Sequence, residues 1–432
     1  MRLAEIYERI VDEKAGVGFR AYDDSTAGPM DAEMLLEVRR PEAIAYIATA
    51  PGELGLVRAY VTGALEIHGD IHTAIHALVT HVKPVPWSER LAILRALGVR
   101  ALRRPAPPAE EAPPPWRRGL RHSKERDAAA ISHHYDVSNR FYEIVLGPSM
   151  AYTCAVFPRE AATLEEAQYE KFDLVCRKIG LEPGDRLLDV GCGWGGMVMH
   201  AAEHYGVEAF GVTLSRAQAE WAQRAIAERG LSDSAEVRFG DYRDVTETGF
   251  DAVSSIGLTE HIGAKNLGAY FSFLSRKVKP GGRLLNHTIT RASNHQDHRA
   301  GKFIDRYVFP DGELEGPGTI ASAMHDNGFE LRHEENLREH YAMTLREWGA
   351  NLERGWNEAV AEAGEHKARI WRLYMASSRF GFDRNTIELH QFLGVRLPED
   401  ARSGMPLRPD WESVRRPAED AGERRSAVAA TD

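Results

Sequence analysis

Four glycines within six residues, Gly191, Gly193, Gly195 and Gly196, follow a carboxylate, Asp189, in the stretch LLDVGCGWGG. An apolar run leads into them and a helical pattern follows. Glycine lets a chain turn sharply and approach a ligand closely, and a helix N-terminus offers unpaired N–H groups. Together these features suit the binding of a nucleotide-type cofactor. Further along, Thr213, Asp241, Glu260 and His287 fall at or near the carboxyl ends of apolar segments. Hydroxyl, carboxylate and imidazole groups recurring at such ends form a pattern that packing alone does not explain. Gly191, Gly193 and Gly196 formally satisfy G-x-G-x-x-G, but no Asp or Glu closes the second apolar segment, where the ribose of a dinucleotide would need one.

For these residues to meet, the segments must be neighbouring strands. Strands over 186–190, 208–214, 236–239, 250–256 and 283–289 alternate with helices, 216–229 among them. This predicts a doubly wound α/β sheet with ligands at the carboxyl ends of its strands. An insertion over 290–316 follows, then a helix over 319–327, a strand over 329–336, Tyr341, two long helices over 345–363 and 366–380, and a last strand over 386–393. Ahead of the sheet, residues 1–104 read as a small, mostly helical domain whose helix over 88–102 sets Leu91, Leu94, Leu97 and Leu102 near one face. Tyr22, Asp23, Asp24 and Ser25, with Gly28 and Pro29, form a loop signature: a solvated turn, or a loop reaching the active site. Residues 105–119 are a proline-rich linker, semi-rigid and extended. The catalytic domain spans 120–410, and 411–432 is a charged, alanine-rich tail expected to be disordered.

A net charge of −10 argues against a general nucleic-acid binder. Three cysteines, Cys154, Cys176 and Cys192, form neither a disulfide framework nor a CxxC metal pair, so no metal is expected and a cytoplasmic setting fits. The charged N-terminus lacks the apolar core of a secretory signal. No stretch approaches 18 uninterrupted apolar residues, so contact with lipid must be peripheral. The sign of the charge reverses locally around the linker, at Arg95, Arg100, Arg103 and Arg104 and again at Arg117, Arg118, Arg121, Lys124 and Arg126. These residues are either ordinary solvated charge or an attraction to anionic headgroups, worth about 1 kcal/mol each.

LLDVGCGWGG resembles motif I of the Rossmann-like methyltransferases, which use S-adenosylmethionine (SAM). From about 132 to 393, HYDVSN, AYTCAVF, GVTLSRAQ, DYRD, TEHIG, LLNHTI and YVFPDG occur in order around it. In this the chain resembles the cyclopropane-fatty-acyl-phospholipid synthase family, with the helical N-terminal domain of its longer bacterial members. AYDDSTAGP and GLTEHIG resemble an actinobacterial branch tied to methyl-branched, tuberculostearic-type lipids. The resemblance implies SAM contacts at Tyr152, Thr153, Asp189, Gly191, Gly193, Gly195, Thr213, Gln218, Asp241 and Tyr242; by its position Gln218 also fits a plain helix-surface residue. It further implies a bicarbonate general base held by Cys154, Glu260, His287, the backbone of Ile289 and Tyr341. From the residues alone, Cys154 also fits a small buried apolar residue and His287 a satisfied core histidine. Tyr307 and the late-helix aromatics fit either a cation-stabilising role or the wall of an acyl channel. Ala376, Ser377 and Ser378 stand where many members carry a cysteine, which excludes a catalytic thiol there, and Ser138 replaces a usual glycine in the stretch over 133–139, read as a lid over the cofactor.

The expected activity is methyl transfer from SAM to the cis double bond of an oleoyl-like phospholipid chain through a carbocation. The product would be a 10-methylene chain, to be saturated by a separate reductase, or alternatively a cyclopropane. A small-molecule methyltransferase and a lipid-binding protein without catalysis are the rival readings. The expected setting is the inner face of the cell membrane, with a phospholipid substrate and a homo-oligomeric enzyme.

Overall fold

The computed structural model describes residues 1–101, 103–114 and 137–411. Its first helix, α1 (Leu3–Ile10), is capped from a distance: Leu3 N–H donates to Asp23 Oδ2 and Ala4 N–H to Ser25 Oγ, both at 3.0 Å. The loop carrying Asp23 and Ser25 is therefore a capping turn. It joins β1 (Gly18–Ala21) to β2 (Thr26–Ala27), which with β3 (Leu35–Val38) and β4 (Leu65–His68) make a sheet of order β2-β1-β3-β4. Four helices complete this unit: α2 (Pro41–Thr49), α3 (Glu53–Val61), α4 (Ile71–Thr80) and α5 (Trp87–Ala101), the last kinked by non-helical backbone at Gly98 (φ 70°), so the continuous helix expected over 88–102 is broken there. The unit is predominantly helical, as expected, but the sheet was not foreseen. Strands of two to four residues are too short to display alternation.

The proline-rich stretch is anchored where it is described. The Glu111 carboxylate is fully buried and accepts from the Arg58 guanidinium of α3 at 2.7 and 2.8 Å. It also accepts from Arg306 and, at 2.9 Å, from the Tyr307 hydroxyl. Ala112 N–H donates to the Arg306 carbonyl at 2.7 Å. Prolines pre-extend the segment, and this single acid ties it to both sides. The rest of the expected linker lies outside the described residues.

The second unit opens with α6 (Asn139–Leu146) and α7 (Leu164–Ile179), the latter started by a Thr163/Glu166 capping box. Then come β5 (Arg186–Val190), α8 (Gly196–Tyr205), β6 (Glu208–Thr213), α9 (Arg216–Glu228), β7 (Ala235–Phe239), β8 (Phe250–Ile256), α10 (Leu267–Lys277) and β9 (Val278–Arg291). After these follow α11 (Pro317–Asp326), β10 (Glu330–Asn336), α12 (Arg338–Arg354), α13 (Trp356–Ala363), α14 (Glu365–Asp383) and β11 (Ile387–Val395). The seven strands are ordered β10-β11-β9-β8-β5-β6-β7, all parallel except β11, which runs against both neighbours. From β5 the chain winds one way to β6 and β7 and returns on the other side as β8 and β9. The reversal leaves a crevice at the strand carboxyl ends.

Two expectations need correction. Tyr341 lies within α12, not ahead of the late helices, and the helix expected over 345–363 is two helices broken at Gly355. A Cβ there would sit 2.4 Å from Ile144 Cγ2, so the close packing of α6 requires glycine at the break. The tail after Trp411 lies outside the described residues.

Candidate active site

The crevice is built on the turn after β5. Gly191 (φ 76°) and Gly193 (φ 56°) take left-handed backbone, and the N–H groups of Gly191 and Cys192 both donate to the Val212 carbonyl of β6. One wall carries Gly191, Gly193, Thr213, Gln218, Tyr242 and Gly257. The other carries Tyr152, Thr153, Lys171, Asp189 and Trp194. Eight of the ten residues expected at the cofactor thus come together. Thr213 Oγ1 donates to Gln218 Oε1 at 2.7 Å, which leaves the amide nitrogen as the donor end of Gln218. Asp189 is buried, accepts from Ser254 Oγ at 2.7 Å, and is pushed by burial up to about 6. Lys171 was not anticipated: it is fully buried, its Nζ donates to Thr153 Oγ1 at 2.8 Å, and desolvation lowers it to about 7.

The other two expected contacts stand apart. Gly195 starts α8 and does not line the crevice; a Cβ there would lie 3.1 Å from Val237 and 3.2 Å from Ala222, so its role is close packing. Asp241 lies just past β7, between the lining residues Gly240 and Tyr242, but its buried carboxylate already accepts from the N–H and Nε of Arg243, at 2.9 and 2.8 Å.

Tyr152, Thr153 and Gly257 also belong to a second cavity of about 280 Å³, walled by apolar residues such as Phe303, Phe309, Leu345 and Leu389. Cys154, Glu260, His287, Ile289 and Tyr341 all line it. Glu260 Oε1 accepts from Ile289 N–H at 2.7 Å. Its Oε2 is buried with no hydrogen-bond partner, and burial raises the carboxyl to about 7. His287 is 1% exposed, with Nδ1 lying 3.2 Å from Gln391 Nε2 and Nε2 buried without a partner. Desolvation, then the charges of Lys171 and Lys178, holds it well below its ordinary value, so it is neutral. Burial pushes the Cys154 thiol far up, which makes it a small protonated donor and not a thiolate. The Tyr341 ring packs against Phe382 in a tilted pair, 4.6 Å between centroids.

Tyr307 is a correction: its hydroxyl donates to Glu111 and its side chain does not line the cavity. From α14, Tyr374, Ser377 and Ser378 line it instead. Of the stretch read as a lid, Ser138 caps α6 through Phe141 N–H and Asn139 Oδ1 accepts from Trp194 Nε1 at 2.9 Å; residues 133–136 lie outside the described residues. Sequence reasoning also missed Glu53, which brings α3 of the N-terminal unit to the cavity wall. A Cβ on Gly301 would come within 3.2 Å of that carboxylate, and no local pattern announces so distant a contact.

Residues 122–392 match the family model described as mycolic acid cyclopropane synthetase. A probable fatty acid methyltransferase of Mycobacterium tuberculosis is 56% identical over 91% of this chain and 94% of its own length. A second, from Pseudomonas putida, is 40% identical over 88% of this chain and 91% of that protein. Among solved structures, mycolic acid cyclopropane synthase CmaA1 in complex with SAH and CTAB superposes with a TM-score of 0.59 at 35% identity, covering 62% of this chain and 98% of that one.

Proposed function

The chain belongs to the mycolic acid cyclopropane synthetase family, and from that premise we propose that it methylates the cis double bond of an unsaturated phospholipid acyl chain. That it is a SAM-dependent methyltransferase of the kind that acts on lipid acyl chains follows from the family; the double bond, the headgroup and the product are our reading. One observation carries it: a cofactor crevice and an apolar cavity meet at Tyr152, Thr153 and Gly257. A sulfonium methyl held in the first would face an alkene held in the second.

Bound SAM supplies an electrophilic methyl group. Its adenosyl end suits Gln218, Tyr242 and the glycine turn, and its methionine carboxylate suits the Lys171–Thr153 side. Apolar walls around the alkene exclude water, which would otherwise capture the cation that methyl addition leaves. That cation must lose a proton to a weak base. The polar cluster of the cavity fits a small oxyanion carrying one hydrogen, such as bicarbonate: the free Glu260 Oε2 is an acceptor, and the His287 imidazole, the Tyr341 hydroxyl and the Ile289 backbone surround the same space. Bicarbonate held there supplies a base that is alkylated less readily than a side-chain nucleophile.

A hydride shift before proton loss from the new methyl gives a 10-methylene chain; ring closure with loss from the methyl gives a cyclopropane. We favour the methylene product, with a separate reductase to follow, on the subgroup motifs, and place the enzyme at the cytoplasmic face of the membrane. The test is incubation with methyl-labelled SAM and oleoyl phospholipid vesicles, then mass spectrometry of the fatty acid methyl esters before and after mild hydrogenation. A product that takes up hydrogen is the methylene chain. A saturated product makes this a cyclopropane synthase, and labelling of neither refutes the reading.

A further inference from the structure

Beneath the cavity lie two buried side chains with no part in the reading above. Lys178 of α7 is fully buried; its Nζ donates to Gln391 Oε1 at 2.7 Å and pairs with Glu335 of β10. Gln391 sits on β11 directly opposite His287 of β9, and its Nε2 lies 3.2 Å from His287 Nδ1.

This chain of contacts leaves little freedom. An ammonium only donates, and a carboxamide accepts only through its oxygen. Lys178 is disfavoured as an ammonium by burial, which its pairing with Glu335 opposes; by donating to the Gln391 oxygen it fixes which end of the amide faces the imidazole, and that end is the NH₂ donor. A neutral imidazole has one donor and one acceptor nitrogen. Nδ1 receives the amide hydrogen, so the ring proton belongs on Nε2, the nitrogen that faces the cavity with no partner in the protein.

We propose that Lys178 and Gln391 are positioning residues that hold His287 as its Nε2–H tautomer, so that the cavity is offered a hydrogen-bond donor there and no basic nitrogen. This inference rests on the cavity being the reaction site, but not on which anion occupies it. Two chemical consequences follow. With no in-plane lone pair facing the cavity, the imidazole is protected from alkylation by the sulfonium or the carbocation. His287 also cannot itself accept the proton the cation must lose, so a separate acceptor is required, and an oxyanion receiving the Nε2–H meets that need.

The experiment is ¹⁵N spectroscopy of the full chain labelled with [¹⁵N]histidine, with the His287 signals assigned by their loss in His287→Gln. In the unmodified protein we expect a protonated Nε2 and an unprotonated Nδ1 between pH 6 and 8. Gln391→Glu puts an acceptor opposite Nδ1; the proton should move there, and kcat should fall roughly 10–100-fold while SAM binding by calorimetry is retained. Lys178→Met, which frees the amide to turn without adding charge, should give mixed tautomers and a smaller loss. A protonated Nδ1 in the unmodified protein overturns the proposal. So does Gln391→Glu with an unmoved proton, or with a moved proton and full activity. A bicarbonate-independent turnover in CO₂-stripped buffer alongside the expected spectra removes bicarbonate and leaves the tautomer standing; an Nδ1–H spectrum in a bicarbonate-dependent enzyme does the reverse.

Discussion

At the scale of single residues, the site trades stability for chemistry. Glu260 has a folded-state pKa of about 7 against 4.5 for an ordinary glutamate, because burial disfavours its charge. The sign follows from proton binding: between those values the unfolded chain has lost the proton and the folded chain keeps it. Stability contributed by this group is therefore complete below pH 4.5 and is lost as pH rises toward 7, by at most about 3 kcal/mol. Glu260→Gln is always neutral. In the ligand-free protein it should raise the melting temperature relative to the unmodified chain at pH 8, with the difference shrinking toward pH 4.5. The same substitution should leave SAM binding near normal and slow turnover by roughly 10²–10⁴-fold. Unchanged turnover in the lipid assay would remove Glu260 from the mechanism. Glu260 and His287 were legible as candidate site residues because polar groups close apolar segments there, whereas Tyr341 was implied only by the family resemblance. Gln391 and Lys178 were not, since a glutamine in a strand and a lysine in an amphipathic helix look like surface residues until their depth is seen.

At the scale of elements, the strands at the centre of the sheet and their order of appearance were readable because β5, β6, β8 and β9 carry apolar runs followed by turns. The elements that were misread depend on partners remote in sequence. The short strands β1–β4 acquire meaning only by pairing with one another, and the break at Gly355 is imposed by Ile144, more than two hundred residues earlier. Glu111 is the clearest case: one acid in a proline-rich strap meets Arg58 on one side and Arg306 and Tyr307 on the other. Removing a buried partner leaves the opposing charge unpaired, at a cost of about 3–5 kcal/mol. Glu111→Gln should accordingly lower the melting temperature and speed proteolysis within the strap. If docking of α3 completes the cavity through Glu53, turnover should fall as well. Deleting residues 1–104 should impair activity for the same reason, and full activity of the truncated enzyme would make the N-terminal unit dispensable.

At the scale of the whole molecule, the proposed function requires an enzyme with an apolar cavity to reach an acyl chain embedded in a bilayer. Among the described residues no helix is long and apolar enough to cross a membrane. The chain as a whole is acidic, which sets it against an anionic lipid surface unless basic residues are gathered locally. In the sequence they follow an exposed aromatic: α5 begins at Trp87, 73% exposed, with Val79 and Val82 at 56% and 54% just before it, and carries exposed Arg95, with exposed Arg103 and Arg104 after it. The remaining arginines of this cluster, with Lys124, fall outside the described residues or have undescribed side chains. Two contributions should separate by their response to salt. Attraction of the arginines to anionic headgroups falls off over a Debye length of about 8 Å at physiological ionic strength, whereas an indole seated in the interface is held by burial that salt does not screen. Replacing Arg95, Arg103 and Arg104 with glutamine should weaken binding to anionic vesicles most at low salt and hardly at all at high salt. Trp87→Ala should weaken it at both. Vesicle sedimentation across a salt series decides between them: a loss independent of salt in the arginine variant returns those residues to ordinary solvated charge, and an unchanged Trp87→Ala leaves substrate access to another face of the protein.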